Sequence, residues 1–334
     1  MTYKEDVYHF SNSEVTTFQG CPRKWWLAWY RGLTPRAVDV QGPRSTGTRI
    51  HLALAEYYHP RIFDTLISPG AHAKEMLSAA QFADISALRA AYADDEDLNL
   101  REAKLQSDFD LERIMLEGYL EWVQETGIDA ELEVVGVEQN VEVDYLLTNV
   151  DRVKLVGKID ARVRSRITGR RKFIDHKTVQ SVHDRTLKMN RQMKHYHLLE
   201  DLISEPDAPR ADGALYNMLR KVKRTGRAVP PFYARVPIEH NRHEIENYRM
   251  QLESLMLDIL DRTTKLRDGW GSDRHQIYAP ARVSRECTWC PFLKICPMFD
   301  DGSRVEAAIE DLYQVGDPLS YYGANEKETE TREN

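Results

Sequence analysis

The sequence lacks any hydrophobic run that approaches the roughly 18 apolar residues of a membrane span. Its first ten residues, MTYKEDVYHF, also lack the apolar stretch of a secretory signal peptide. These two absences predict a cytoplasmic protein without a membrane partner. Hydrophobic residues make up 42% of the 334 positions and charged residues 30%. Such a composition is typical of a soluble protein with a substantial core, built as one enlarged domain or two lobes.

Cysteine is scarce, because the chain contains only Cys21, Cys287, Cys290 and Cys296. Structural disulfides are rare in the cytosol, so these thiols need another role. The last three form C-x2-C-x5-C, and the first lies more than 260 residues upstream. Four thiolates suit a [4Fe–4S] cluster or a four-cysteine zinc site. Zinc ribbons use two close pairs of cysteines, so the one-plus-three pattern favours an iron–sulfur cluster. Zinc is the rival metal. Four buried free thiols are a further alternative, which the C-x2-C-x5-C spacing disfavours.

The prolines beside the cysteines suit tight loops around a metal cluster. Nearby aromatic residues are expected to form an apolar shell for it: Trp25, Trp26, Trp289, Phe292 and Phe299.

Net charge is negative, at −7, which taken alone argues against a nucleic-acid partner. The charges are unevenly distributed, however. Residues 152–194 carry fourteen Lys or Arg against three Asp, whereas residues 93–117 carry nine acids against three bases. The asymmetry predicts a basic working face on an acidic body. The alternative is a set of ordinary solvated surface charges.

Hydrophobic periodicity and cap signals divide the chain into helices and strands. Helices are expected at 11–29 with a break at Pro22, at 47–58, at 69–126 with an acidic break at 94–97, at 185–203 and at 241–267. Strands are expected from 133 onwards and at 153–164, 172–176, 213–222 and 232–238. The strands at 153–164 and 172–176, joined by the turn 165–171, predict a β-hairpin.

The hairpin carries two carboxylates and a lysine. Asp160 lies in the first strand (GKID), and Asp175 and Lys177 lie two residues apart in the second (IDHK). Because side chains alternate along a strand, Asp175 and Lys177 share a face, and Asp160 can lie opposite them. Phosphodiester hydrolysis needs this grouping, since carboxylates hold Mg²⁺ or Mn²⁺ and a lysine stabilises the transition state. The alternative is a cross-strand Asp–Lys surface pair.

Several other residues support the hydrolytic interpretation. His51, in the segment GTRIH, offers an imidazole ligand for Mn²⁺. Gln192 and Tyr196 are four residues apart and would share one face of a helix, where they can contact a phosphate or a base. Basic residues on the same segment would attract the nucleic-acid backbone, namely Arg185, Lys188, Arg191 and Lys194.

Together these motifs resemble the RecB-like branch of the PD-(D/E)xK nuclease superfamily. The resemblance implies that His51, Asp160 and Asp175 are metal ligands, joined by the His176 carbonyl, and that Lys177 is catalytic. It implies that Gln192 and Tyr196 contact DNA. The cysteine pattern resembles the iron–sulfur staple of such nucleases, with the CRISPR-associated exonuclease family as the nearest match. The expected activity is therefore a DNA exonuclease on single strands or ends, with 5′→3′ polarity favoured by the resemblance.

The expected fold is α/β, with a mixed central sheet of about five strands in a restriction-endonuclease-like core flanked by helices. The divisions are N-terminal helices with the first cysteine and His51 (1–59), a helical insertion that forms a wall or arch over the active site (60–130), the nuclease core (131–285), an iron–sulfur segment (286–315) and a disordered tail (316–334).

Two other classes of protein remain open at this stage. One is a non-catalytic DNA-binding adaptor of a recombination or DNA-capture complex, against which the intact acid–acid–lysine set argues. The other is a zinc-dependent structural protein with a fortuitous D-x-K sequence. The chain has no GxxxxGK[ST] motif, so a helicase would be a separate partner.

Overall fold

The structure is a computed structural model that describes residues 3–4, 7–37, 39–60, 68–149, 151–204, 211–268 and 274–323. Its strands are β1 (Tyr3–Lys4), β2 (Val7–Ser11), β3 (Leu33–Pro35), β4 (Leu132–Leu146), β5 (Arg152–Ser165), β6 (Arg171–Val179), β7 (Gly213–Arg220), β8 (Tyr233–Ile238) and β9 (Tyr313–Val315). Its α-helices are α1 (Asn12–Gly20), α2 (Pro22–Trp25), α3 (Gly42–Tyr57), α4 (Pro69–Ala91), α5 (Leu98–Thr126), α6 (Arg191–Ile203), α7 (Arg242–Asp268), α8 (Arg274–Tyr278) and α9 (Val305–Leu312).

The centre of the fold is a mixed sheet of seven strands, in which the order β1-β2-β5-β6-β7-β8 is joined by β4 on β5. The mixed α/β architecture is thus confirmed, with two more strands than expected because β1 and β2 also join the sheet. The predicted hairpin is present, since Ala161–Arg164 of β5 pair antiparallel with Arg171–Ile174 of β6.

The strand β5 has two different neighbours along one of its edges. Its first part, Val153–Val156, pairs parallel with β2, and its last part pairs with β6. Residues 157–160 therefore lie at a fork where β2 has ended and β6 has not yet joined. The other edge pairs with β4 over almost its whole length, with a bulge between Val134 and Gly136 that shifts the register by one residue.

Helices cover both faces of the sheet and form two large clusters of buried side chains. Helices α1, α6 and α7 contribute to the first cluster, and α3, α4 and α5 contribute to the second. Residues 69–126, expected to be a helical insertion, contribute six buried side chains to the second cluster: Ala73, Leu77, Met115, Leu116, Tyr119 and Val123. Within the described ranges, no helix is both long enough and apolar enough to cross a membrane.

The buried apolar residues of β5 pack in two different clusters. Val153, Leu155 and Ile159 pack in the first cluster, whereas Ala161 and Val163 pack in the second. A strand of 14 residues spans two helical layers that each cover only part of its length, so its buried face changes along the strand. The change falls at Asp160.

The first helix has the cap that its sequence predicts. The Ser11 Oγ atom accepts a hydrogen bond of 3.1 Å from the backbone N–H of Glu14. The Glu14 side chain does not complete a capping box, because it is buried and accepts hydrogen bonds from Tyr8 and Trp25. Helix α1 ends at Gly20, the backbone of Cys21 is extended, and Pro22 opens α2. The predicted break at Pro22 therefore exposes a cysteine at a helix junction.

Segments from opposite ends of the numbering meet in a second, two-stranded sheet. Strand β3 pairs antiparallel with β9, with Leu33 opposite Val315. The backbone approach next to this pair is close, since Gly316 donates to the Gly32 carbonyl at 2.8 Å. A Cβ atom on Gly32, which has a φ of +66°, would lie 2.6 Å from the Gly316 oxygen. Glycine at position 32 therefore permits the junction.

Candidate active site

The fork in the sheet opens into a cleft of about 250 Å³ whose walls come from β5, α1, α3, α6 and the segment after β9. Gly157 allows α6 to lie close to β5. A Cβ atom at this position would come within 2.5 Å of Leu199 Cδ1 and 3.6 Å of the Tyr196 ring. The close approach places the first turns of α6, with Gln192 and Tyr196, in the cleft.

Asp160 lies at the fork and links the two strands that separate there. One of its oxygens, Oδ2, accepts a hydrogen bond of 2.8 Å from the backbone N–H of His176. The same oxygen is 3.4 Å from Nδ1 of His51, which α3 brings from the opposite helical layer. Burial raises the pKa of Asp160 to about 6, because His51 and Lys177 offset only part of the effect of burial and of the neighbouring Asp175 and Glu138.

A chain of polar side chains runs from Asp175 to Tyr196 on the other side of the fork. The Lys177 Nζ atom lies 2.9 Å from Asp175 Oδ1 and donates a 3.0 Å hydrogen bond to Gln192 Oε1. The Gln192 amide donates in turn to the Tyr196 hydroxyl at 2.8 Å. Burial lowers the pKa of Lys177, but Asp175 and Asp160 raise it by more, so the amine stays protonated. The sequence motifs that predicted these four residues therefore converge.

Glu138 belongs to the site although sequence reasoning did not select it. Ligand atoms of His51, Glu138 and Asp160 all lie within 4.8 Å of one another, a spacing that one divalent cation can bridge. Glu138 has a φ of +49°, unusual for a residue with a side chain. Its Oε2 atom is 2.9 Å from Nζ of Lys158. The only indication of this role in the sequence is that Glu138 is an acid in the strand expected to begin near residue 133.

The His176 side chain points away from the carboxylates and into a buried polar network. Its Nδ1 atom accepts a hydrogen bond of 2.9 Å from Asn217, and its ring stacks on Tyr58 with centroids 5.4 Å apart. Burial lowers the pKa of His176 well below its usual range, so the ring is neutral. Only the backbone of His176 is therefore left for the ligand role that the resemblance implied.

The basic residues predicted to bind DNA, Arg185, Lys188 and Arg191, lie in different surroundings. Helix α6 begins at Arg191 after an Asn190 cap, so the segment before it is a loop with one short turn, instead of the helix expected from residue 185. Arg185 is exposed on that loop. Lys188 is 3.3 Å from Glu244, and the Arg191 guanidinium lies over the Tyr248 ring of α7, away from the cleft.

The basic segment 152–194 is less positively charged at its surface than its composition suggests, because acids from neighbouring elements pair with it. These pairs include Lys154–Glu142, Lys158–Glu138, Arg162–Glu200 and Arg170–Asp212. The positive charge of the predicted basic face is therefore partly neutralised by these acids.

The four cysteines lie around one junction of N- and C-terminal segments. Burial, with Cys21 and Cys287 nearby, raises the pKa of the Cys290 thiol. Burial also raises the pKa of the Cys296 thiol, with Cys21 and Cys290 as neighbours. Backbone N–H groups of Arg282 and Ser284 donate to the sulfurs of Cys21 and Cys287 at 3.4 Å.

Polar and aromatic contacts hold the two segments together at this junction. Arg23 pairs with Asp300 at 3.0 Å and donates to the Cys296 carbonyl, and Trp26 packs on Phe299. The expected aromatic shell is only partly formed, because Trp289 is 86% exposed. Its short 3-10 turn, Arg285–Trp289, carries the indole outward between two cysteines.

The family model described as the PD-(D/E)XK nuclease superfamily matches residues 9–297. No curated protein matches the sequence. Among the solved structures that match, one titled "Crystal structure of SSO0001" has 18% sequence identity over 64% of this chain and 84% of that chain, with a TM-score of 0.30.

Proposed function

Because the chain belongs to the PD-(D/E)XK nuclease superfamily, we propose that it is a metal-dependent DNA exonuclease that degrades single strands or DNA ends in the 5′→3′ direction. The observation that carries the proposal is the convergence of His51, Glu138 and Asp160 beside the Asp175–Lys177 pair in one cleft. The exonucleolytic mode and the polarity come from the resemblance of the sequence motifs to RecB-like exonucleases.

The donor set of the cleft suits a hard divalent cation with one nitrogen ligand. His51, Glu138 and Asp160 would hold Mg²⁺ or Mn²⁺, with Asp175 and the His176 carbonyl as the further ligands that the resemblance implies. The ion, when bound, polarises the scissile phosphate and lowers the pKa of a water molecule. At neutral pH Asp160 is ionised, since its pKa is about 6.

Lys177 supplies the fixed positive charge of the proposed mechanism. Asp175 and Gln192 hold its Nζ atom from two sides, at 2.9 and 3.0 Å. The protonated amine can orient a water molecule or stabilise the negative charge that develops on the phosphate. Gln192 and Tyr196 line the same cleft, where they would contact the substrate strand.

The test is cleavage of single-stranded DNA that carries a label at its 5′ or its 3′ end, with Mn²⁺ or Mg²⁺. Wild-type protein is expected to release short products only when metal is present, and the label pattern gives the polarity. Asp160→Ala should abolish the reaction. The matched control is Asp144→Ala, which removes an exposed acid of β4 outside the cleft. Intact DNA binding without cleavage by wild type would contradict the nuclease and favour an adaptor.

We also propose that the four cysteines hold a [4Fe–4S] cluster. The support is the one-plus-three arrangement of the cysteines, because three lie in C-x2-C-x5-C and Cys21 lies far upstream, whereas zinc ribbons use two close pairs. The cluster, when bound, would cross-link the helix junction at Cys21 to residues 287–296, and the N–H donors near Cys21 and Cys287 suit thiolate ligands.

A further inference from the structure

The residues that follow β9 return to the active site, although the sequence suggested a disordered tail from residue 316. Residues 316–323 have a defined path, and Ser320–Tyr322 form a 3-10 turn. The backbone N–H of Leu319 donates to Asp317 Oδ1 at 2.8 Å, and Leu319 itself is buried. The remainder of the expected tail, 324–334, lies outside the described residues. The β3–β9 pair and the close Gly32–Gly316 contact fix where this segment starts.

The 3-10 turn places two tyrosines on the wall of the cleft that also contains Asp160. The Tyr322 hydroxyl is 3.4 Å from Ser13 Oγ at the start of α1. The two tyrosine rings pack edge to face, with centroids 5.3 Å apart. Tyr322 therefore anchors the turn, and Tyr321 is held in a defined orientation beside it.

Tyr321 is the more exposed of the pair. Its side chain lies beside Lys158, whose Nζ atom is 4.7 Å from the ring centroid, and 56% of the residue surface is accessible. Single exposed aromatics are common on protein surfaces and need no explanation. Tyr321 differs from them because it lines the same cleft as the catalytic carboxylate, and because Lys158 also pairs with Glu138 of the candidate metal site.

We propose that Tyr321 forms a nucleobase subsite at the mouth of the cleft, where an unpaired base stacks on the phenol ring while the adjacent phosphate enters the site. The proposal rests on the proposed nuclease function and specifies its substrate as single-stranded. Stacking on an aromatic ring accepts any base, because every base has a π-face. Paired bases inside a duplex are already stacked on their neighbours and cannot use the subsite.

The chemistry of Tyr321 suits a stacking role better than a reactive one. Partial burial, with the carboxylates of Glu138 and Asp160 nearby, raises its pKa above the ordinary value. The phenol is therefore neutral at physiological pH and a poor nucleophile or base. The Lys158 ammonium lies over one face of the neutral ring, so a base would stack on the opposite face.

The test compares Tyr321→Ala, Tyr321→Phe and wild type in steady-state cleavage of an oligo-dT strand and of a blunt duplex of equal length, with Mn²⁺. For the single strand, Tyr321→Ala should raise KM roughly tenfold and leave kcat nearly unchanged. Tyr321→Phe should retain wild-type KM because the ring remains. The duplex should show no comparable change. Phe82→Ala, which removes a 73% exposed aromatic of α4 outside the cleft, is the matched control.

A second readout separates this proposal from the nuclease itself. Binding of fluorescein-labelled oligo-dT is measured in a Lys177→Ala background, where loss of affinity on adding Tyr321→Ala supports the subsite even if no protein cleaves DNA. Absence of cleavage by wild type would refute only the proposed function. Equal KM and equal binding with and without the ring would overturn the subsite and leave the nuclease intact. Faster cleavage by Tyr321→Ala with unchanged KM would also overturn it, because the segment would then obstruct the site.

Discussion

The Lys177 Nζ atom lies 2.8 Å from Oδ2 and 2.9 Å from Oδ1 of Asp175, so both carboxylate oxygens contact the amine. The two residues are neighbours on one face of β6, just beyond the point where β6 leaves β5. Asp175 has no exposed surface, whereas 32% of the Lys177 side chain is exposed toward solvent. The buried acid therefore fixes an amine that a substrate can reach.

From this pair we expect Lys177→Ala to lower kcat by about 100- to 1000-fold, because a positioned charge next to the reacting phosphate is lost. Steady-state cleavage of labelled single-stranded DNA would measure the change. Lys172→Ala, on the same strand but outside the cleft, is the control. A Lys177→Ala variant with wild-type kcat would rule out the catalytic role.

A pH dependence of stability follows from His195 of α6, which is buried next to the cleft. The Val156 carbonyl can only accept, so Nε2 of His195 carries the hydrogen and donates to it, while Nδ1 accepts from Tyr248. Burial lowers the pKa of His195 to about 4 from an ordinary value of 6.5. Its contribution to stability is therefore complete above pH 6.5 and is lost as pH falls toward 4.

We expect this single group to remove about 2 kcal/mol from the free energy of unfolding between pH 7 and pH 5. Urea denaturation of wild type and His195→Gln at both pH values would measure it. The variant should show a smaller decrease than wild type by about that amount. Equal decreases in the two proteins would show that His195 does not titrate in this way.

The next prediction concerns Arg49, which joins the helical layer of α4 and α5 to the helix that carries His51. Its buried guanidinium donates to both oxygens of Glu112, at 2.7 to 3.1 Å, and also pairs with Asp84. Arg49→Ala would leave Glu112 buried without its partner and should destabilise the fold by about 3–5 kcal/mol. Chemical denaturation would measure the loss. Arg44→Ala, which removes an exposed arginine of α3, should change stability by less than about 0.5 kcal/mol.

The cysteine site predicts a colour and a metal content. Purified without air, the protein should be brown, absorb near 400 nm, and contain iron in a ratio of about four per chain. Cys290→Ser should remove the absorbance and lower the melting temperature. Zinc at about one equivalent, with a colourless protein of the same stability, would show that the four thiols bind zinc instead.

The acids and the lysine at the fork could be predicted from the sequence. The residue of the neighbouring strand that completes the candidate metal site could not. Asp160, Asp175 and Lys177 lie within one hairpin, so alternation and a short turn place them. Glu138 was missed because its position depends on the bulge near Val135. With the register of Val134 and Val163, Glu138 would lie opposite Ile159, and the one-residue shift moves it opposite Asp160.

Tyr321 was missed for a different physical reason. Its placement depends on the pairing of β9 with β3, strands about 280 residues apart that carry only three residues each and show no strong pattern. Likewise, periodicity predicted the helices at 69–126. It did not predict that Arg49 of α3 would pair with acids on both of them. Pairings over such distances are set by the whole fold and not by local preference.

The pairing of β3 with β9 also bears on how the protein is made. The two strands lie about 280 residues apart, so this pair cannot form until nearly the whole chain has been synthesised. A ribosome that has translated the chain through Lys177 has already added every proposed ligand of the divalent cation, yet β9, three of the four cysteines and Tyr321 are still to be synthesised. Vectorial synthesis would thus produce the hydrolytic groups well before the segments that join the two halves of the chain.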